Sequence, residues 1–454
     1  MSDPARSALR PALLSAVPRA AFGNLLAKLL MVGLGLGITV TVARLGTQVQ
    51  GAFALFVAVE SGLLTLFSGL GLWLARQMSR QAGGESGASV ASLPMLQGVL
   101  RAAVGLGLLA ALALLGVSWW ADTLPYAKLW LLALGAPFLL LVPTATGLWL
   151  GQGRMWPINV AQVASPALVL LALLGFLNFH EGEVLRRAPT VVLVLVAWVA
   201  GKSLVGALTA FRALRDADRG DALAAGEQAT TRLGEFQRAP QGWWSDWRFV
   251  ATIGVTNVVS LLNYRASLFL VEHFHGLGVA GTYSIAVTVA ELLWLLSSSV
   301  TVSAYARIGH PDLKVASAMT VHAVRINVLA TLVAAPVLLA LAWWGVPLVM
   351  GEAYQASLLP LAALLPGVAA YAAASSLSAF YTNHLGRPQL SGAIAATSLA
   401  ISFALGCVLV PRYGAAGAGM ASSLGYILAI AAAYGVFLKH AQLPLSALWR
   451  RGSV

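Results

Sequence analysis

Two charged side chains lie well inside long apolar stretches of this chain. Residues 261–296 form two such stretches joined by a short glycine-rich turn, with Arg265 in the first and Glu291 in the second. A charge at membrane depth costs about 2.5–3.5 kcal/mol, so it usually faces a water-filled cavity or a partner of opposite charge. A guanidinium offers five N–H donors in a fork that matches phosphate oxygens. Arg265 could therefore bind a phosphate in a central cavity. Alternatively, it pairs with Glu291 or Glu60 and locks two halves of the protein together.

Further polar residues share the helical arc of Arg265. At 100° per residue, Asn257, Tyr264 and Glu272 fall on the same side of the predicted helix as this arginine. Asn257 and Tyr264 are therefore grouped with Arg265 as candidate binding residues.

Lys28 is a second candidate for binding an anion within the membrane. It shares a narrow helical face with Asn24 and with small residues at positions 35 and 39. In one interpretation, Lys28 and Asn24 line the same cavity as Arg265. In the other, which is equally supported, the lysine stem carries its ammonium to the cytoplasmic interface.

Glu60 and Glu291 occupy corresponding positions in the middle of two predicted helices. A carboxylate in a low-dielectric environment binds a proton more readily than in water, so either one could couple transport to a proton or sodium gradient. A structural role, in which each glutamate bonds to a neighbouring helix, is favoured over coupling because such an environment does not by itself make a proton shuttle.

The composition predicts the elements that position these residues. The 454 residues are 59% hydrophobic and 10% charged, and the mean hydropathy is +0.81, whereas soluble domains carry about 25% charged residues. Apolar blocks of about 20 residues predict an all-α polytopic membrane protein with about twelve transmembrane helices. The predicted spans are 21–43, 51–75, 95–117, 127–151, 157–178, 189–211, 248–272, 280–305, 317–344, 355–382, 389–410 and 415–438.

The net charge and the cysteine content limit which functions and sites the chain can have. The net charge of +12 comes mostly from lysines and arginines in loops on one side of the predicted membrane. This bias predicts that both termini lie in the cytoplasm. In a soluble protein the same positive charge would suggest nucleic-acid binding, but here the orientation in the membrane explains it. Cys407 is the single cysteine, which excludes an intrachain disulfide and a cysteine metal cluster. We expect no metal site and no cofactor.

Two related halves are predicted. The longest non-apolar stretch, 213–247, has the mixed charge of a solvated face and is interpreted as a cytoplasmic linker. It separates two six-helix lobes, 1–212 and 248–440, and residues 441–454 form a cytoplasmic tail. Glycine landmarks recur at nearly the same spacing in both lobes, which indicates an internal duplication.

Four short motifs resemble a known family. LGTQVQGAF (45–53) leads into the helix that contains Glu60, and LGLWLARQMSR follows at 70–80. LGRP at 385–388 and VPRYGAAGAGMASSLGY at 410–426 lie in the second lobe. Together they are similar to the polysaccharide-exporter branch (Wzx-type O-antigen flippases) of the multidrug/oligosaccharidyl-lipid/polysaccharide exporter superfamily.

This resemblance implies a function in the bacterial inner membrane. Members of this branch move undecaprenyl-diphosphate-linked oligosaccharide units from the cytoplasmic to the periplasmic leaflet, for polysaccharide and lipopolysaccharide assembly. Membrane lipids, glycan polymerase and chain-length machinery are then expected partners. In that mechanism Arg265 and Lys28 would neutralise the diphosphate during alternating access, and the protein would be a transporter without enzymatic activity.

Three other classes are weighed against this one. An ion-coupled exporter of small cationic compounds should have an acidic cavity. Arg265 and Lys28 are positively charged and therefore disfavour this class. A membrane-embedded glycan polymerase or ligase would need a large external loop, and a scaffold would leave the intramembrane charges unexplained.

The Gly201-Lys202-Ser203 sequence resembles the end of a phosphate-binding loop, but Val196 stands where its first glycine should be.

Overall fold

The structure is a computed structural model that describes residues 19–82, 92–178, 190–228 and 243–444. Within these ranges the chain is helical almost throughout and contains no strand, which confirms the predicted all-α membrane fold. Ten described helices are long and apolar enough to cross a membrane.

The described residues of the first part of the chain form eight α-helices. They are α1 (Arg19–Ala43), α2 (Thr47–Leu66), α3 (Gly69–Ala82), α4 (Ser92–Trp120), α5 (Leu129–Leu139), α6 (Leu141–Gly151), α7 (Met155–Asn178) and α8 (Thr190–Gln228). Six more follow, which are α9 (Trp247–Glu291), α10 (Trp294–Ile308), α11 (Leu313–Met350), α12 (Leu358–Tyr371), α13 (Ala374–Ala379) and α14 (Pro388–Ala441).

The two longest helices are each interrupted by one glycine. Gly276 in α9 has φ 79° and ψ 178°, and Gly414 in α14 has φ 57° and ψ −137°. These conformations suit a residue without a Cβ atom. Both breaks fall where the sequence predicts a turn between two spans, whereas the total of twelve spans stays a prediction. His275 Nε2 lies 2.7 Å from the carbonyl oxygen of Val410 and so connects the regions of the two breaks.

The first half of the predicted linker, 213–228, is helical, because α8 continues to Gln228. Asp216 accepts hydrogen bonds from Trp149 Nε1 at 3.0 Å and from Arg154 Nη2 at 3.1 Å. Asp221 accepts bonds from the backbone N–H groups of Ser92 and Leu93, both at 2.9 Å, at the start of α4. These aspartates therefore fasten the helix to its neighbours rather than forming only a solvated face. Residues 229–242 lie outside the described ranges.

The described chain groups into two compact units. Unit 1 comprises the described residues up to 39 and those between 63 and 254, and unit 2 comprises residues 40–62 and the described residues from 255 onward. Residues 40–62 thus pack with the second part of the chain and bring Glu60 into the same unit as Arg265 and Glu291. The division into lobes 1–212 and 248–440 stays a prediction.

Inside unit 2, α2 and the second segment of α9 approach backbone to backbone. A Cβ atom on Gly51 would lie 2.0 Å from the carbonyl oxygen of Leu277, and one on Gly281 would lie 2.0 Å from that of Thr47. Such close approach through small residues is typical of membrane helices. Gln50 Nε2 adds a hydrogen bond of 3.1 Å to Ser284 Oγ at the same crossing. The crossing thus holds in contact the two helices that carry Glu60 and Glu291.

Candidate functional site

Arg265 and Glu291 form a two-pronged ion pair in unit 2. Arg265 Nη1 lies 3.2 Å from Glu291 Oε1, and Nη2 donates to Oε2 at 3.3 Å. The two side chains are 30% and 26% exposed, so the pair is shielded but not sealed. Both residues belong to α9, on either side of its break at Gly276. The structure therefore shows the ion pair of the alternative interpretation, although it joins two segments of one helix pair and does not lock two halves of the chain.

Aromatic rings surround this pair. The ring of Tyr264 lies 4.6 Å from that of Trp294 and 6.0 Å from that of Tyr371, between centroids. The ring of Tyr371 lies 4.7 Å from that of Tyr426. Asn263 Nδ2 donates to the Tyr371 hydroxyl at 3.3 Å. Four elements, α9, α10, α12 and α14, therefore meet at the side chain of Tyr371, whose ring contacts that of Tyr264.

A small cavity lies against Glu291, one member of the ion pair. Its lining includes Glu291, Tyr264, Ser267, Tyr283 and Trp294, and its volume is about 10 Å³, which is room for about one water molecule. Ligand pockets usually enclose about 300–1,000 Å³, so this space is too small for a lipid-linked sugar in the conformation described. Trp294 Nε1 is buried and has no hydrogen-bond acceptor among the described residues. The carboxylate of Glu291 and a buried indole N–H without an acceptor therefore belong to the same small cavity.

The other predicted site residues are distributed over both units. Asn257 lies in α9, in unit 2, and is half-buried. Glu60 lies in α2, also in unit 2, and is fully buried. Lys28 and Asn24 lie in α1, in unit 1, where Lys28 is exposed and Asn24 is half-buried. The substrate-binding role of Lys28, Asn24 and Asn257, and the coupling role of Glu60, stay predictions.

A cluster of buried polar side chains joins α10, α11 and α13 in unit 2. Thr301 Oγ1 lies 2.7 Å from Ser375 Oγ, and Asn327 Nδ2 donates to Ser376 Oγ at 3.0 Å and to Thr301 Oγ1 at 3.2 Å. Sequence analysis missed this cluster. An asparagine within an apolar span was the available signal, since buried amides in membranes usually bond to another helix.

Lys202 in unit 1 is the second group that sequence analysis missed. Its Nζ atom lies 4.4 Å above the ring of Trp198, one helical turn earlier in α8. Flanking residues on both sides are uncharged over more than two turns. Lys202 therefore lies as deep in an apolar segment as Arg265 does. Its place in a Gly-Lys-Ser sequence is not a sign of this depth.

Comparisons with known proteins support the fold. No protein-family model matches the chain, and no curated protein matches its sequence. Solved structures do match. One is the lipid II flippase MurJ in an inward closed conformation, with a TM-score of 0.70 and 14% identity over 94% of this chain and 88% of that one. Another is an inward-facing multidrug resistance MATE family transporter of the MOP superfamily, with a TM-score of 0.68 and 14% identity over 91% and 94% of the two chains.

A third solved structure is a MOP superfamily transporter from Pyrococcus furiosus. It has a TM-score of 0.57 and 15% identity, over 95% of this chain and 96% of that one. Its description reports a binding pocket of reverse polarity, which suggests a different function for that protein. All three neighbours are transporters or flippases, and at this identity the likeness extends to the fold of this chain.

Proposed function

We propose that this protein is a flippase that moves undecaprenyl-diphosphate-linked oligosaccharide units from the cytoplasmic to the periplasmic leaflet of a bacterial inner membrane. The observation that carries the proposal is the bidentate contact of Arg265 with a carboxylate inside an apolar bundle. A phosphate presents the same pair of oxygens to a guanidinium, so it can replace Glu291 without a change in the geometry of the arginine. The fold shared with a lipid II flippase supports a lipid-linked substrate.

In the proposed mechanism, substrate binding exchanges one anion for another. The sugar-diphosphate head approaches from the cytoplasmic side while its polyprenyl tail stays in the lipid. Arg265 releases Glu291 and binds the diphosphate, and the cavity lined by Tyr264 and Trp294 widens to admit the head. The released Glu291 is then available to bind a proton or a sodium ion, which would couple the cycle to an ion gradient. Both termini are cytoplasmic, and the periplasmic glycan polymerase and chain-length machinery receive the product.

The decisive experiment measures where the lipid-linked sugar diphosphate accumulates. In cells that lack the protein, we expect this intermediate to accumulate on the cytoplasmic leaflet and to disappear when wild type is supplied. Arg265→Gln should fail to rescue at normal protein levels, whereas Arg412→Gln, which changes an exposed arginine in α14, should rescue fully. Rescue by Arg265→Gln would remove this arginine from the substrate site.

The absence of any accumulation would overturn the flippase proposal. In that case export of small cationic compounds coupled to an ion gradient becomes the preferred function, since one structural neighbour is a multidrug resistance transporter. Efflux of a cationic dye from the same strains would then be the measurement that separates the two.

A further inference from the structure

Unit 1 contains a cavity of its own at the depth of Lys202. Its volume is about 450 Å³, which is within the range of typical ligand pockets. Lys202 lies twelve residues after the start of α8, so the rise of the helix places it about 18 Å from that end. The stem of a lysine is much shorter than this distance. Its ammonium therefore stays at membrane depth, where a charge marks a functional site by default.

The lining of this cavity combines hydrogen-bond donors with an apolar wall. Gln162 and Ser165 lie three residues apart on α7, on one face of that helix, and line the cavity together with Lys202. They add an amide and a hydroxyl to the ammonium. None of the described lining residues is acidic, and leucines such as Leu64 and Leu139 make up much of the remaining wall. A cavity with these properties suits a ligand that has a negative head and an apolar tail.

Two of the helices that border the cavity approach each other backbone to backbone. A Cβ atom on Gly147 would lie 2.2 Å from the carbonyl oxygen of Gly71, and one on Gly71 would lie 2.0 Å from that of Pro143. These three residues also line the cavity. The helices α3 and α6 therefore touch through their backbones on one side of the cavity.

We propose that unit 1 binds the phosphate of an amphiphile at Lys202, Gln162 and Ser165. The phosphate accepts hydrogen bonds from these three side chains, and the hydrocarbon tail lies along the leucines of the wall. Two sources share this chemistry, namely an anionic membrane phospholipid and a polyprenyl phosphate. The site is separate from the Arg265 site in unit 2, and its binding can be measured without transport.

The test uses the purified full-length protein in a neutral detergent. Native mass spectrometry would measure binding of phosphatidylglycerol, farnesyl phosphate and, as a zwitterionic control, phosphatidylcholine. We expect the wild type to bind at least one of the two anionic probes about tenfold more tightly than phosphatidylcholine. Preference for phosphatidylglycerol assigns the site to a membrane lipid, and preference for farnesyl phosphate assigns it to a polyprenyl carrier. Equal affinity for all three probes would overturn the proposal.

Variants identify the residues. Lys202→Gln should weaken binding of the preferred probe about tenfold or more, whereas Lys202→Arg should retain most of the binding. Ser165→Phe should block binding because the phenyl ring fills the cavity while the charge of Lys202 stays in place. Unchanged binding by Lys202→Gln would overturn the assignment, and if that variant does not fold, unchanged binding by Ser165→Phe would do so. Arg412→Gln, which changes an exposed arginine outside both candidate sites, should bind the probe as wild type does. Because binding is measured without transport, a failure of the flippase proposal leaves this result unaffected.

Discussion

Arg265 directs two of its five N–H donors at the two carboxylate oxygens of Glu291, across the glycine break that divides α9. Both carboxylate oxygens of Glu291 and two donors of Arg265 are therefore used within the pair. A phosphate that binds Arg265 must compete with Glu291, and a cation that binds Glu291 must compete with Arg265. In the proposed mechanism, the carboxylate therefore competes with the anionic substrate for Arg265.

Glu291→Gln should strengthen phosphate binding, because the neutral amide competes less well for the guanidinium than the carboxylate does. A charge-assisted hydrogen bond contributes about 1.5–3 kcal/mol, so the affinity should rise by about tenfold or more. Isothermal titration of the purified protein with farnesyl diphosphate measures this change. Glu352→Gln, at an exposed glutamate of unit 2, serves as the matched control and should leave the affinity as it is. An affinity that falls or stays constant in Glu291→Gln would contradict the competition.

Gly51→Ala should destabilise unit 2, because its new Cβ would lie 2.0 Å from the carbonyl oxygen of Leu277. Overpacking of this kind costs about 1–3 kcal/mol and should lower the midpoint of thermal unfolding in detergent. Gly62→Ala changes a glycine of the same helix whose added Cβ would meet no atom within 4 Å. Alanine favours the helix there, so this control should unfold at the same or a slightly higher temperature. Equal effects of the two substitutions would show that the crossing of α2 and α9 is not tightly packed.

Thr301→Val should weaken the polar contacts between α10 and its neighbours. It removes the hydroxyl that lies 2.7 Å from Ser375 Oγ and that accepts from Asn327 Nδ2. Hydrogen bonds between membrane helices contribute about 0.6 kcal/mol on average and up to about 1.7 kcal/mol. A double-mutant cycle with Asn327→Leu, read from unfolding in detergent, should give a coupling free energy in that range. Strictly additive effects would mean that the two side chains do not interact.

Much of the fold could be predicted because membrane spans follow from local composition. The apolar blocks predicted the helices, and the glycine-rich turns predicted the breaks at Gly276 and Gly414. The continuation of α8 to Gln228 could not be predicted in this way. Its alanines and mixed charges suit a loop as well as a helix, and the bonds of Asp216 and Asp221 that hold it in place join residues far apart in the chain.

The site was predictable only in part, for a related reason. Depth in an apolar segment identified Arg265 and Glu291 individually, but helical spacing says nothing about how two segments face each other across a turn. The sequence therefore allowed both an ion pair with Glu291 and a free Arg265 that binds phosphate. The turn at Gly276, which sets how the two segments face each other, decides between them in this conformation. Trp294 was not predicted as a site residue, because a tryptophan in an apolar span gives no sign that its N–H lacks an acceptor.

Asp221→Ala offers the sharpest test of the helical extension of α8. This carboxylate accepts hydrogen bonds from Ser92 N, Ser92 Oγ and Leu93 N, so it satisfies donors at the first turn of α4 that have no partner within their own helix. Removal of such a cap costs about 0.5–2 kcal/mol. Amide hydrogen exchange at Ser92 and Leu93 should accelerate, and the midpoint of thermal unfolding should fall. Asp218→Ala changes an exposed aspartate one turn earlier and should alter neither quantity. If the amides of Ser92 and Leu93 exchange equally fast in both variants, α8 does not extend onto α4, and residues 213–228 are the solvated linker that their composition suggests.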